Sequence, residues 1–153
     1  MTAVALAGLV GSGLVGGALF AFSGFVMKAL TRMPGGEGAR AMQEINRAVY
    51  TPWFMGPFFG TALLSLAAIV LGALNPDAAW SEALIAGGAM YAVGVFLVTA
   101  AGNVPWNNRL AGVDAEDAVA RGLWSRYVTV WSRLNHVRVV ASVGSVVSFG
   151  LAV

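Results

Sequence analysis

Asn135, His136 and Arg138 stand together in the stretch WSRLNHVRVV, residues 131 to 140, at the mouth of the last apolar run of the chain. His136 is the only histidine. An imidazole titrates near neutral pH, a guanidinium is a fixed cation, and a carboxamide both donates and accepts. Such a triplet can bind an anion or a ligand oxygen, or it can serve structure alone. A metal fits poorly, because the chain has no cysteine and no Asp or Glu inside an apolar run. Asn103 and Asn107 in GNVPWNNRLAG, and Asn46, are further polar candidates; loop and cap chemistry is their ordinary reading. Trp124, Tyr127 and Trp131 can wall a binding site or form an interfacial aromatic belt.

The elements that position these groups are apolar helices. Hydrophobic residues make up 58% of the 153 positions and charged residues only 10%. A soluble domain carries about 25% charge and needs it to cover its surface. The reading is an all-α integral membrane four-helix bundle forming a single domain. A net charge of +2 gives no reason to expect nucleic acid. Residues 1–27, 48–76 and 83–108 carry no charge, and a spanning helix takes about 20 residues. The spans are placed at about 3–27, 53–74, 83–104 and 134–153. The N-terminal run lacks a basic leader segment and is read as the first span rather than a signal peptide. Its GSGLVGG either serves close helix contact or reflects the general frequency of glycine in membrane helices. The last uncharged run, 139–153, is about 22 Å long as a helix against a hydrocarbon core of about 30 Å. The turn bearing Asn135, His136 and Arg138 is therefore drawn toward the bilayer.

All nine Lys and Arg residues lie between spans one and two, or between spans three and four and at their boundary. Positive-inside reasoning puts both of these connections in the cytoplasm, and both termini and the 75–82 turn outside. Residues 37–50 read as an interfacial amphipathic helix, with Glu37, Arg40, Glu44 and Arg47 on one face and Met42, Ile45 and Val49 on the other. Pro105 is expected to end or kink the third helix. Asp114 is the expected N-cap of one long helix reaching Val153, the fourth span extended into the cytoplasm.

On that helix Trp124, Tyr127, Trp131, Asn135, Arg138, Ser142, Ser145 and Phe149 fall within about 80° of one another. His136 lies about 100° from Asn135, on an adjacent face. Two readings of Arg138 stand: it snorkels to the headgroups, or it turns inward with Asn135.

FSGFVMKAL, AMQEINRAVYTPWFM, VGVFLVTAAGNVPWNNRLA and WSRYVTVWSRLNHVRVVAS together resemble the anthrone-oxygenase-like family of small four-span membrane proteins, largely a domain of unknown function. The similarity runs from about residue 20 to 145. The asparagine pair of NVPWN and the closing W-x6-W-x3-N-H-x-R are its most specific parts; Trp106 stands where the family usually has leucine. The resemblance implies oxidation of an anthrone to an anthraquinone by O₂ without a cofactor. It puts the family's polar signature on Asn103, Asn107, Trp124, Trp131, Asn135, His136 and Arg138. His136 would then be the base. Arg138 and the asparagines would hold the oxyanion, and the tryptophans would stack the ring. The other reading is non-enzymatic: a bundle that binds a lipid or quinone, forms a homo-oligomer, or packs beside a larger membrane complex. In either case the partner is an apolar small molecule or lipid of the inner leaflet. The expected geometry is a cavity floored by Asn135, His136 and Arg138. Trp124 and Trp131 would wall it, Asn103 or Asn107 would lie within hydrogen-bonding distance of the triplet or one water away, and Asn46 would cover the opening.

Overall fold

The computed structural model describes the whole backbone and every side chain except those of residues 118 and 119. It contains five helices: α1 (Thr2–Leu30), α2 (Glu37–Ala48), α3 (Pro52–Ala73), α4 (Ser81–Ala111) and α5 (Ala118–Leu151). No strand occurs among the described residues. Helices α1, α3, α4 and α5 are long and apolar enough to cross a bilayer. Their outward positions, such as Leu14, Phe25, Leu63, Val93 and Val140, are large apolar residues at 53% exposure or more. Such a surface needs lipid around it, and the chain is a multi-pass membrane protein.

Helix α1 packs on α5 and α3, and α4 packs on α3 and α5, closing a ring. Glycines set the approach of α1. A Cβ at Gly8 would meet Phe149, one at Gly16 would meet Ser142, and one at Gly11 would meet Thr61 Oγ1 at 2.0 Å. Of the two readings of GSGLVGG, close contact therefore holds at Gly11 and Gly16, whereas Gly17 faces open space.

Helix α2 closes one end of the bundle. A turn through Gly35, at φ +57°, reverses the chain out of α1. The charged face is outward as expected, and Arg47 pairs with Glu44. The apolar face does not lie on lipid. Ala39 and Met42 pack into a core with Leu110, Tyr127 and Trp131. Burial against protein wins because α2 is latched: Gln43 Nε2 donates to Leu110 O at 2.8 Å and Val113 O at 3.0 Å, two carbonyls at the end of α4. Gln43→Leu should cost about 1–3 kcal/mol, chiefly by leaving Val113 O unpaired, since Leu110 O keeps the Val113 N–H, read as a lower midpoint in thermal unfolding in detergent.

Two expectations are corrected. Pro105 does not end α4. The turn before it is π-wound over Thr99–Asn103, with Val104 N–H reaching Thr99 O. The wider turn gives the proline ring room, so the helix continues to Ala111. The N-cap of α5 is Asp117, not Asp114; the Asp114 carboxylate instead accepts from Glu116 N–H in the preceding turn.

Candidate functional site

At the α2 end the four spans enclose a cavity of about 430 Å³. Its apolar walls come from every helix. Phe54, Phe58 and Phe96 form one wall, with Phe58 and Phe96 stacked at 5.4 Å between centroids. Leu19 and Phe22 of α1, Met42 and Ile45 of α2, and Trp131 of α5 complete it. Its polar groups are few: Asn46, Tyr50, Thr99, Asn103, Asn107 and Arg138. A largely apolar pocket with a few placed polar groups is the common form of a small-molecule site.

Winding places those groups. Helix α4 is π-wound over Met90–Leu97 and again over Thr99–Asn103. Positions four apart share one face of a helix, and the π turn, which holds more residues than an α turn, keeps them there. Thr99, Asn103 and Asn107 therefore share the cavity face. The stripe of α5 points inward as its periodicity requires: Tyr127, Trp131, Asn135, Arg138, Ser142, Ser145 and Phe149 are all buried.

Arg138 is 4% exposed. Its Nη2 donates to Asn135 Oδ1 at 2.6 Å and its Nη1 to Thr99 Oγ1 at 3.1 Å. The guanidinium lies 5.2 Å from the centroid of the Trp131 ring. The snorkelling alternative is thereby excluded. No carboxylate compensates the charge: among the described residues the ion pairs are Arg40–Glu116 and Arg47–Glu44, both exposed. Arg138 Nε and Asn103 Oδ1 are buried without partners. Both residues line the cavity, and a buried donor and acceptor without partners are rare enough in a folded chain to mark this place as functional.

Asparagines hold the frame around them. Asn103 Nδ2 donates to Trp131 O at 3.2 Å. Asn107 Oδ1 accepts from Tyr127 OH at 2.8 Å and Trp131 Nε1 at 2.9 Å, which directs its NH₂ elsewhere. Asn135 Nδ2 donates to Leu19 O and to Ser23 Oγ, each at 2.8 Å. Ser23 Oγ in turn lies 2.7 Å from His136 Nδ1.

The cavity thus gathers Arg138, Asn103, Asn107, Asn46 and Trp131. Four other sequence candidates stand apart from it. His136 is exposed in a separate groove between α1 and α5, which Asn135 also lines. Asn135 reaches Arg138 directly, and His136 reaches it only through Ser23 and Asn135. Tyr127 is buried behind the cavity wall, bonded to Asn107 and Asn46. Trp124 stacks on Tyr127 at 5.6 Å, packing the base of α2. Neither Asn103 nor Asn107 hydrogen-bonds to Asn135, His136 or Arg138; they line the cavity directly and bond to Trp131. The sequence reading did not single out Ser23, Thr99, Gln43 or the phenylalanine wall. A polar residue inside an uncharged span, one of two serines there with Ser12, was the available signal for Ser23; the phenylalanines had none beyond their number.

Residues 50–148 match the family described as anthrone oxygenase. The chain belongs to the anthrone oxygenase family. The match takes in Asn103, Asn107, Arg138 and the phenylalanine wall, and leaves α1 and α2 outside. No curated protein and no solved structure matches the chain. At Trp106, the departure noted above, the ring carries the guanidinium of Arg109 at 4.9 Å.

Proposed function

We propose that the chain is a membrane enzyme that oxidises an anthrone-like aromatic with O₂ in the cavity at the α2 end. The observation that carries this reading is Arg138: a buried cation with no carboxylate partner, on a cavity walled by aromatic rings. A buried charge of that kind costs free energy unless it is compensated, and an oxyanion in the cavity compensates it. The reactive CH₂ of an anthrone loses a proton, and the electron pair spreads onto the ring carbonyl oxygen. Arg138 stabilises that oxygen. The reactive carbon bonds O₂, and loss of the second proton expels hydroxide from the peroxide to leave a carbonyl. The sum is CH₂ plus O₂ to C=O plus water. No carboxylate or imidazole lines the cavity, so the first proton passes to water at the open end. The test is O₂ uptake by purified protein in micelles supplied with anthrone. A rate equal to that of empty micelles overturns the reading.

That same lack of a proton acceptor favours a second reading, in which the cavity holds a quinone or lipid without turnover. Saturable quenching of tryptophan fluorescence by anthraquinone, with no O₂ uptake from anthrone, would establish it instead.

The α2 end is proposed to face the cytoplasm, because every Lys and Arg lies at or near it while Asp77 and Glu82 mark the other end. An impermeant thiol reagent on intact cells should label Ala79→Cys and spare Gly122→Cys. Both positions are exposed, and a Cβ at Gly122 meets nothing within 4 Å. The opposite labelling reverses the orientation.

A further inference from the structure

We infer that the seam between α1 and α5 binds one anionic phospholipid, its phosphate at Lys28, Ser132 and His136. The seam holds two consecutive grooves on the outside of the bundle. The first, about 260 Å³, lies where α1 gains its first charge, Lys28, after 27 uncharged residues. The first charge after so long an apolar run is where a spanning helix meets the headgroups. Its free polar groups are all donors suited to a phosphate. Lys28 is exposed and has no ion-pair partner among the described residues. Ser132 Oγ is buried with no hydrogen-bond partner. Ser23 Oγ accepts from Asn135 Nδ2, so its own proton is available for His136 Nδ1, which leaves His136 Nε2 as an outward donor. No Asp or Glu lines the groove.

The second groove, about 280 Å³, continues the same seam toward the other end of the bundle. Gly13, Gly16 and Gly17 form its floor, and Phe20, Val139 and Val143 its sides. A Cβ at Gly17 would meet nothing within 4 Å. A cationic groove followed by an apolar one repeats the order of a phospholipid, phosphate then acyl chain. This sequence of grooves selects a lipid over a free phosphate, which would use only the first. The occupant touches the cavity indirectly, since His136, Ser23 and Asn135 lead to Arg138.

The test is native mass spectrometry of the full chain in mixed micelles with phosphatidylglycerol, phosphatidylcholine or inorganic phosphate. One phosphatidylglycerol per protomer should be retained, with phosphatidylcholine held about tenfold less. Lys28→Gln combined with Ser132→Ala should lower retention about tenfold. Gly17→Leu, which fills the apolar groove and leaves the donors in place, should also lower it. Arg32→Gln, an exposed charge one turn beyond Lys28, should not. Thermal unfolding of each variant checks that the bundle is intact. Equal retention of both lipids, an equal loss in Arg32→Gln, or an undiminished level in Gly17→Leu overturns the proposal. Full displacement of the lipid by millimolar inorganic phosphate overturns it in favour of a soluble anion.

Discussion

Arg138→Met should lower the O₂-dependent oxidation of anthrone by about 10²- to 10³-fold, with the loss in kcat rather than KM. A cation aimed at an oxygen that becomes negative acts mainly in the transition state. Methionine keeps the length and the apolar contacts of the side chain. Replacing a buried charge by an apolar group of similar size is often tolerated by the fold, so the variant should still extract as a folded protein. Arg138→Lys should recover part of the rate. It restores the charge, but a point ammonium cannot reach Asn135 Oδ1 and Thr99 Oγ1 together as the guanidinium does. His136→Gln is the discriminating variant. His136 is exposed outside the cavity and holds only the far end of the chain to Arg138. Glutamine can still hydrogen-bond Ser23, so the rate should fall only a few-fold. The measurement is initial O₂ consumption in micelles across anthrone concentrations. An undiminished rate in Arg138→Met removes the oxyanion role. A loss in His136→Gln as deep as in Arg138→Met returns His136 to the chemistry.

The second large effect is expected at the lid. Gly38→Ala places a Cβ 2.2 Å from the backbone oxygen of Leu30 and 3.1 Å from its carbon. Backbone cannot swing aside as a flexible side chain does, so α2 must lift from the end of α1. Lifting α2 draws Gln43 off Leu110 O and Val113 O and Met42 off Tyr127 and Trp131. The loss should be about 2–4 kcal/mol, from the unpaired Val113 carbonyl and exposed core together. Limited proteolysis should cut residues 31–51 many-fold faster than in the parent chain. Anthrone turnover should fall as well, because α2 supplies Met42, Ile45 and Asn46 to the cavity. Gly60→Ala is the matched control, since a Cβ there meets nothing within 4 Å. Equal protease resistance of Gly38→Ala and the parent would show that α2 is not seated on Leu30.

The class, the spans and the inward stripe of α5 were legible from the residues alone. Those follow from charge-free runs long enough to cross a bilayer and from a helical period that a single long helix must obey. Asn135, Arg138, Tyr127 and Trp131 are buried together because they lie on one face of one helix, which needs no knowledge of a neighbour. The amphipathic helix before α3 was also legible, but its partner was not: the same apolar face suits lipid or protein, and Gln43 and the end of α4 decided for protein. The helix end expected at Pro105 is absent because π winding makes room for the proline ring, and residue types do not announce a π turn. The helix period already sets His136 and Arg138 on different faces, and the packing of α1 and α4 against α5 decided where each face lands. They are two residues apart in the chain, yet a helix turns by about 200° over that interval. One therefore meets Ser23 of α1 at the lipid-facing seam, and the other meets Thr99 of α4 inside the bundle.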